Sequence, residues 1–440
     1  MVTRVWTQSL ATSLALLVAL CLLALPGATQ DARALETETF VPGQVIVKLA
    51  HGVQIGDLNL RGYGLQVQEA FLNQADTDIY LLKTTDGSSA KDMLGQIAND
   101  PLLKYAELNY LSAAPEANRR HYAFPAGNAT PTTRNYSRDA SYPDSALNLT
   151  AAQLISNGAG ATVAVLDTGA QLNHPALKAR FAGVPKYDFV DDDTDPSEPR
   201  LAKTEQQRSQ EAVGHGTHVA GIVKLVAPQA SIMPLRVLDR EGYGTTFHVA
   251  EAIAYADGNG ADVINLSLGT PSWSMLLREK VNEAISHGVV VVAAAGNYNS
   301  EQPQYPASNL LPAAADKDGL LAVTSVSAAR KKSDFANYGT WVDIVAPGEE
   351  ILSTYPVNAY AYWSGTSMAT PFVSGEAALI HSVANPIDPG GVEERIRLGA
   401  SCVDQINKIV YWGKLGVGEP DVYASLMQVE GKHCVPLTNS

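Results

Sequence analysis

The sequence predicts an α/β fold with a mostly parallel sheet and helices on both faces, preceded by a small α+β module. Two observations carry this. Six short β-rich runs, at 162–166, 232–237, 263–268, 289–295, 321–326 and 342–345, are apolar on nearly every position, the mark of strands buried on both faces. Helical spacing separates several of them, at 247–256 and 274–286, and alternating strands and helices imply parallel pairing through crossovers. At 440 residues, 46% hydrophobic and 17% charged, the chain can fill more than one core.

The smaller module is read from residues 44–110. A strand at 44–49 is followed by a helix near 55–63, strands at 65–71 and 78–83, a helix at 89–99 and a strand at 104–109. That order is a strand-helix-strand-strand-helix-strand unit, assigned to 40–111. Residues 112–144, rich in Pro, Asn, Ser and Arg and without apolar periodicity, read as an exposed linker and a natural place to be cut. The large domain is assigned to 145–440.

Ahead of the module, Arg4 precedes an apolar run over 10–25 that ends at Pro26-Gly27. It is short for a membrane span and is followed by small residues, so residues 1–34 are read as an export leader cut after Ala34 or Ala28. An uncleaved anchor is the alternative. The expected location is secreted, extracellular or periplasmic, with no stable membrane anchor. Beyond Cys21 in the leader, Cys402 and Cys434 remain, as one disulfide or as two free thiols. A formal charge of -14 excludes the cation-rich surface that phosphate contacts require, so no nucleic-acid partner is expected.

In open α/β sheets the functional crevice lies at the carboxyl ends of the strands. Asp167-Thr168-Gly169, Ser267-Leu268-Gly269 and Gly296-Asn297 each end an apolar run; any one alone is an ordinary turn. His215, between Gly214 and Gly216, stands near a helix start. With His218 it suggests a metal pair, but no third ligand follows at a zinc-site spacing. Ser367 sits near the start of a helix running to Val383, and Pro371 is expected in its first turn. Together a strand-end carboxylate, an imidazole and a helix-start serine fill the roles of a serine nucleophile, its base and the base's orienting group, with Asn297 as an amide donor for an oxyanion.

The blocks Val165-Leu166-Asp167-Thr168-Gly169, His215-Gly216-Thr217-His218-Val219-Ala220-Gly221 and Gly365-Thr366-Ser367-Met368-Ala369-Thr370-Pro371 resemble, in order, the three signature blocks of the subtilase family, the subtilisin-like serine proteases. The resemblance covers about 148–429. It implies an endopeptidase with Asp167, His215 and Ser367 as triad, Asn297 in the oxyanion hole, and a neutral to alkaline optimum. It further implies that Gly242, Tyr243 and Gly244, with Ser267, Leu268 and Gly269, pair with an extended polypeptide substrate. Ala294, Ala295, Gly296 and Gln304 would shape the pocket for the side chain preceding the cut bond. The segments 41–47 and 105–110 resemble the family's inhibitory propeptide, which would be removed by self-cleavage within 112–144. No cofactor is required for the chemistry. The tight calcium loop of many relatives is absent after Gly221, whereas Asp188, Asp191, Asp192, Asp193 and Asp195 resemble a second calcium loop or form a solvated acidic loop, and the metal stays open. The competing class is a catalytically silent subtilase-like binding protein, which would show a broken triad or oxyanion position; none is broken.

Overall fold

Alternation along each apolar run sends one side chain to each face of a sheet, and both faces here find helices. A computed structural model describes residues 39–72, 77–117, 123–125, 147–208, 211–308 and 319–432. The leader, Cys21, Cys434 and most of the linker lie outside the described residues.

The module comprises β1 (Phe40–Leu49), a 3-10 turn at Ile55–Asp57, β2 (Leu65–Ala70), β3 (Ile79–Thr84), α1 (Ala90–Ile97) and β4 (Leu103–Ala113). The helix expected over 55–63 shrinks to that single turn. Gly56 and Gly62 weaken it, and the Asp57 carboxylate accepts from Gln54 N at 2.9 Å. Ser89 caps α1 by accepting from Asp92 N.

The large domain follows with β5 (Phe124–Pro125), α2 (Leu149–Ala152), β6 (Thr162–Asp167), β7 (Tyr187–Asp188), α3 (Glu205–Arg208), α4 (His215–Val226), β8 (Ser231–Arg236), β9 (Tyr243–Thr245) and α5 (Thr246–Gly258). It continues through β10 (Val263–Leu266), α6 (Met275–Ser286), β11 (Val290–Ala294), β12 (Leu320–Val326), β13 (Ile344–Pro347), β14 (Ile351–Tyr355), β15 (Ala359–Trp363), α7 (Thr366–Ala384), α8 (Pro389–Gly399) and α9 (Val422–Met427).

Seven strands form the central sheet in the order β13-β12-β11-β10-β6-β8-β7, parallel throughout. Val163, Val165, Val292 and Val323 face one way, into a core with Val219, Val223, Phe372 and Ile380 from α4 and α7. Ala164, Leu166, Ile264 and Val291 face the other way, against Ile253 of α5 and Val281 of α6.

A second sheet, β2-β3-β1-β4-β9, crosses from the module into the large domain. Ile46, Phe71, Ile79 and Leu81 of the module bury against Phe247, Ala250 and Leu276. At its edge the module supplies acceptors to two helix N-termini, where backbone N–H groups lack partners. The Glu107 carboxylate takes Ser274 Oγ (2.8 Å), Met275 N (2.7 Å) and Leu276 N (3.1 Å) at α6, and Asn109 Oδ1 takes Phe247 N (3.2 Å) at α5. Glu107→Ala would strand these buried donors. In the full chain it is expected to lower the unfolding free energy by about 1–3 kcal/mol, read from urea denaturation; an unchanged midpoint would show that the cap contributes nothing.

Candidate active site

Three segments carry the signature residues to one point. β6 ends at Asp167, α4 begins at His215, and α7 begins at Thr366 immediately before Ser367. The approach of α4 to β6 needs Gly216, where a Cβ would collide with the Gly169 carbonyl. His215 Nδ1 lies 2.7 Å from Asp167 Oδ1, which also accepts from Thr168 N at 2.7 Å.

Pro371 is the sixth residue of α7 rather than part of its first turn. Lacking an N–H, it leaves the carbonyl of residue i−4, Ser367, without its helical donor. Ser267 Oγ fills that gap, donating to Ser367 O at 2.9 Å, while Ser367 Oγ lies 3.2 Å from Ser267 O. The proline thus ties the serine helix to the end of the β10 segment. Asn297 is oriented likewise: its Oδ1 accepts from Thr366 N and Thr366 Oγ1, both at 2.9 Å, which turns Nδ2 toward Ser367's surroundings.

What fills the centre is Glu116, which is buried although it falls within the stretch expected to be an exposed linker. Its carboxylate accepts from Ser367 Oγ (2.6 Å), meets His215 Nε2 (3.0 Å) and accepts from Asn297 Nδ2 (2.8 Å). Ser367 and His215 therefore meet the same Glu116 oxygen rather than each other. Gly365 makes room, since a Cβ there would collide with Glu116 Oε1.

Strand β4 delivers this residue. Its end pairs antiparallel with β9, Leu111 opposite Thr245, Ser112 opposite Gly244 and Ala113 opposite Tyr243. On its other side Ala113 exchanges two 2.9 Å hydrogen bonds with Gly269, and Ala114 N donates to Gly242 O. The 242–244 and 267–269 segments thus flank one extended strand, here the chain's own. The backbone then turns, Ala117 N donating to Ala114 O at 2.9 Å. Gln304, buried, lies against Gly296 and near Gly269, with Ala294 and Ala295 buried alongside.

Electrostatics follow from the crowding. Burial works against the His215 imidazolium, but Asp167 and Glu116 outweigh it and push the ring up to about 10. Burial likewise opposes ionisation of Glu116, yet His215, Ser367 and Asn297 hold its carboxyl below the ordinary range. Burial drives His218 down to about 3, and its Nε2 lies 3.1 Å from the carbonyls of Ile351 and Ala361, so it points at the β14–β15 hairpin and not at His215 as a co-ligand.

Glu198 is a second residue the sequence did not single out. Its buried carboxylate accepts from Thr168 Oγ1 (3.1 Å), Gly214 N (2.9 Å) and Thr217 N (3.1 Å), tying the residues beside Asp167 to those around His215. Burial, with Asp167 adding, raises it to about 7. In the acidic loop, Arg236 Nη1 donates to Asp188 (2.6 Å) and Asp191 (2.5 Å), while Asp192 accepts from Tyr187 OH at 2.6 Å. A guanidinium among the donors does not suit a cation at that loop.

The chain is similar to known proteins over both of its parts. Residues 158–400 match the subtilase family, peptidase S8, and residues 26–109 match the fervidolysin N-terminal prodomain. The thermophilic serine proteinase of Bacillus sp. (strain AK1) is 40% identical over 295 residues, 64% of this chain and 64% of that protein. Thermitase of Thermoactinomyces vulgaris is 44% identical over 238 residues, 52% of this chain and 77% of thermitase. Among solved structures, fervidolysin of Fervidobacterium pennivorans superposes with a TM-score of 0.68 at 23% identity, over 95% of this chain and 65% of that one. A protease of Pseudoalteromonas arctica superposes with 0.56 at 31% identity, over 64% and 94%.

A parallel α/β sheet with a serine, a histidine and an aspartate gathered at its edge, behind an N-terminal prodomain, defines a serine peptidase made with its own prodomain. The chain belongs to the subtilase family.

Proposed function

We propose that this subtilase is a secreted serine endopeptidase, processed by itself from a precursor that Glu116 holds latent. The observation that carries the reading is the convergence of Ser367 Oγ, His215 and Asn297 Nδ2 on one carboxylate at 2.6–3.0 Å. A carboxylate there presents oxygen to the three groups that would handle a substrate carbonyl, yet offers no bond to cleave.

In the open enzyme a substrate lies extended between 242–244 and 267–269, with recognition carried largely by main-chain pairing. His215 Nε2 takes the Ser367 Oγ proton as the oxygen bonds to the carbonyl carbon, and Asp167 orients the ring and stabilises its cation. The carbonyl oxygen becomes an oxyanion held by Asn297 Nδ2 and the Ser367 amide. The carbon–nitrogen bond then breaks, His215 gives its proton to the leaving amine, and water releases the acyl group by the same steps. Gln304 faces the side chain before the cut bond.

Export is supported by the apolar run before Pro26 and by the disulfide at Cys402, since disulfides persist in oxidising compartments. Among the described residues, no helix is long and apolar enough to cross a membrane.

The reading is tested by hydrolysis of a denatured protein by the processed enzyme and its Asn297→Ala variant. The expected loss is about 10²–10³ in kcat, the size measured for this donor in subtilisin itself, with little change in KM. An equal kcat in both would remove Asn297 from the mechanism.

A further inference from the structure

Away from the active site, the module and the large domain share a second cluster of charged side chains. His248 and Glu251 stand one turn apart on one face of α5, and Glu69 reaches them from β2. His248 Nε2 lies 3.3 Å from Glu69 Oε2, and one ligand atom from each of the three falls within 4.8 Å of the others. Glu251 is only 2% exposed and accepts from Leu72 N, in the segment after β2, at 2.7 Å. The edge-on packing of Phe71 on Phe247, at 5.5 Å between ring centroids, closes one side.

We propose that Glu69, His248 and Glu251 form a divalent transition-metal site, suited to zinc, that bridges the module to the large domain. Two carboxylates, one of them buried, stand beside a single imidazole and offer a dication three ligand atoms at one place. One imidazole nitrogen and two carboxylate oxygens are a zinc donor set, completed by water at an open position. Ligand atoms on a tetrahedral zinc stand about 3.3 Å apart, so atoms within 4.8 Å of one another need to close by at most about 1.5 Å. Glu69 and His248, with side chains 36% and 24% exposed, have the freedom to move. Because Glu69 comes from the module and the other two from the large domain, a cation binds the docked arrangement alone and strengthens docking by mass action. It would delay release of the module after the chain is cut, a role separate from the active-site chemistry.

The test uses the full chain carrying Ser367→Ala, stripped of metal with a chelator and titrated with ZnCl₂ by calorimetry, so that the outcome does not depend on whether the chain cleaves itself. One zinc per chain is expected. Affinity should fall at least about 100-fold in both His248→Ala and Glu69→Gln, since even partners outside the metal's immediate ligands change affinity 10- to 100-fold. Zinc should also slow amide exchange in β1 and β3 of the parent but not of Glu69→Gln. No stoichiometric binding, or binding unchanged in His248→Ala, would overturn the site. Loss in His248→Ala with full binding in Glu69→Gln would overturn the bridge.

Discussion

In the full-length chain, Ser367→Ala is expected to leave the precursor whole while the parent divides within 112–144. Removing the nucleophile costs about 10⁶ in rate in subtilisin itself, because the base and the oxyanion donors have nothing left to activate. At that scale a step of minutes becomes one of years, so intact-mass spectrometry over a day separates the two chains without kinetics. The same experiment gives the new N-terminus. A Ser367→Ala chain that still divides at the parent's position would mean that another protease does the cutting.

The second large effect belongs to Glu116. In the closed precursor His215 is pushed up to about 10 by Asp167 and Glu116, which outweigh burial. At pH 7 only about one ring in 10³ is then free to accept a proton. Glu116→Ala removes the second carboxylate and the obstruction over Ser367, while Asp167 still raises the ring, so self-cleavage at pH 7 should rise. The profiles should separate too: the parent climbs toward about 10, whereas the variant, with Asp167 alone raising its histidine, levels off at a lower pH. Linkage gives the sign for the latch. A histidine raised in the closed state stabilises it fully below its ordinary value of 6.5 and loses that contribution as pH rises through about 10. Glu116, held low, contributes above its ordinary value of 4.5 and loses this as pH falls through its lowered value. The latch is therefore tightest between pH 4.5 and 6.5, where both contributions are complete, and loosens as pH rises from there through about 10. Parallel profiles for parent and variant would remove Glu116 from control of His215.

Much of this was legible from residue order because the signals are local. Every predicted strand of the central sheet exists, since doubly buried strands carry their own apolar signature. Asp167, His215, Ser367 and Asn297, which the structure brings together, each lie in a distinctive block ending a strand or opening a helix. Pro371 misled for a physical reason: its lost helical bond is replaced by Ser267 Oγ, a partner 100 residues away. The β14–β15 hairpin was missed although Ile351–Tyr355 and Ala359–Trp363 are β-rich stretches around a turn, a signal that could have been used. Glu116 and Glu198 were beyond reach. Nothing in Ala114-Pro115-Glu116-Ala117 distinguishes this carboxylate until β4 pairs with β9 and carries it to Ser367, and Glu198 acquires its role only when three donors from two distant segments converge on it.

In the proposed mechanism Ser367 is an activated nucleophile whose access Glu116 controls. The most direct measurement is reaction of the precursor, its Glu116→Ala variant and the processed enzyme with a serine-directed organophosphonate at pH 7, followed by peptide mapping. A single adduct on Ser367 is expected, fast in the processed enzyme and in Glu116→Ala and slow in the uncut parent. An adduct on a different residue, or none in a processed enzyme that still hydrolyses protein, would contradict it.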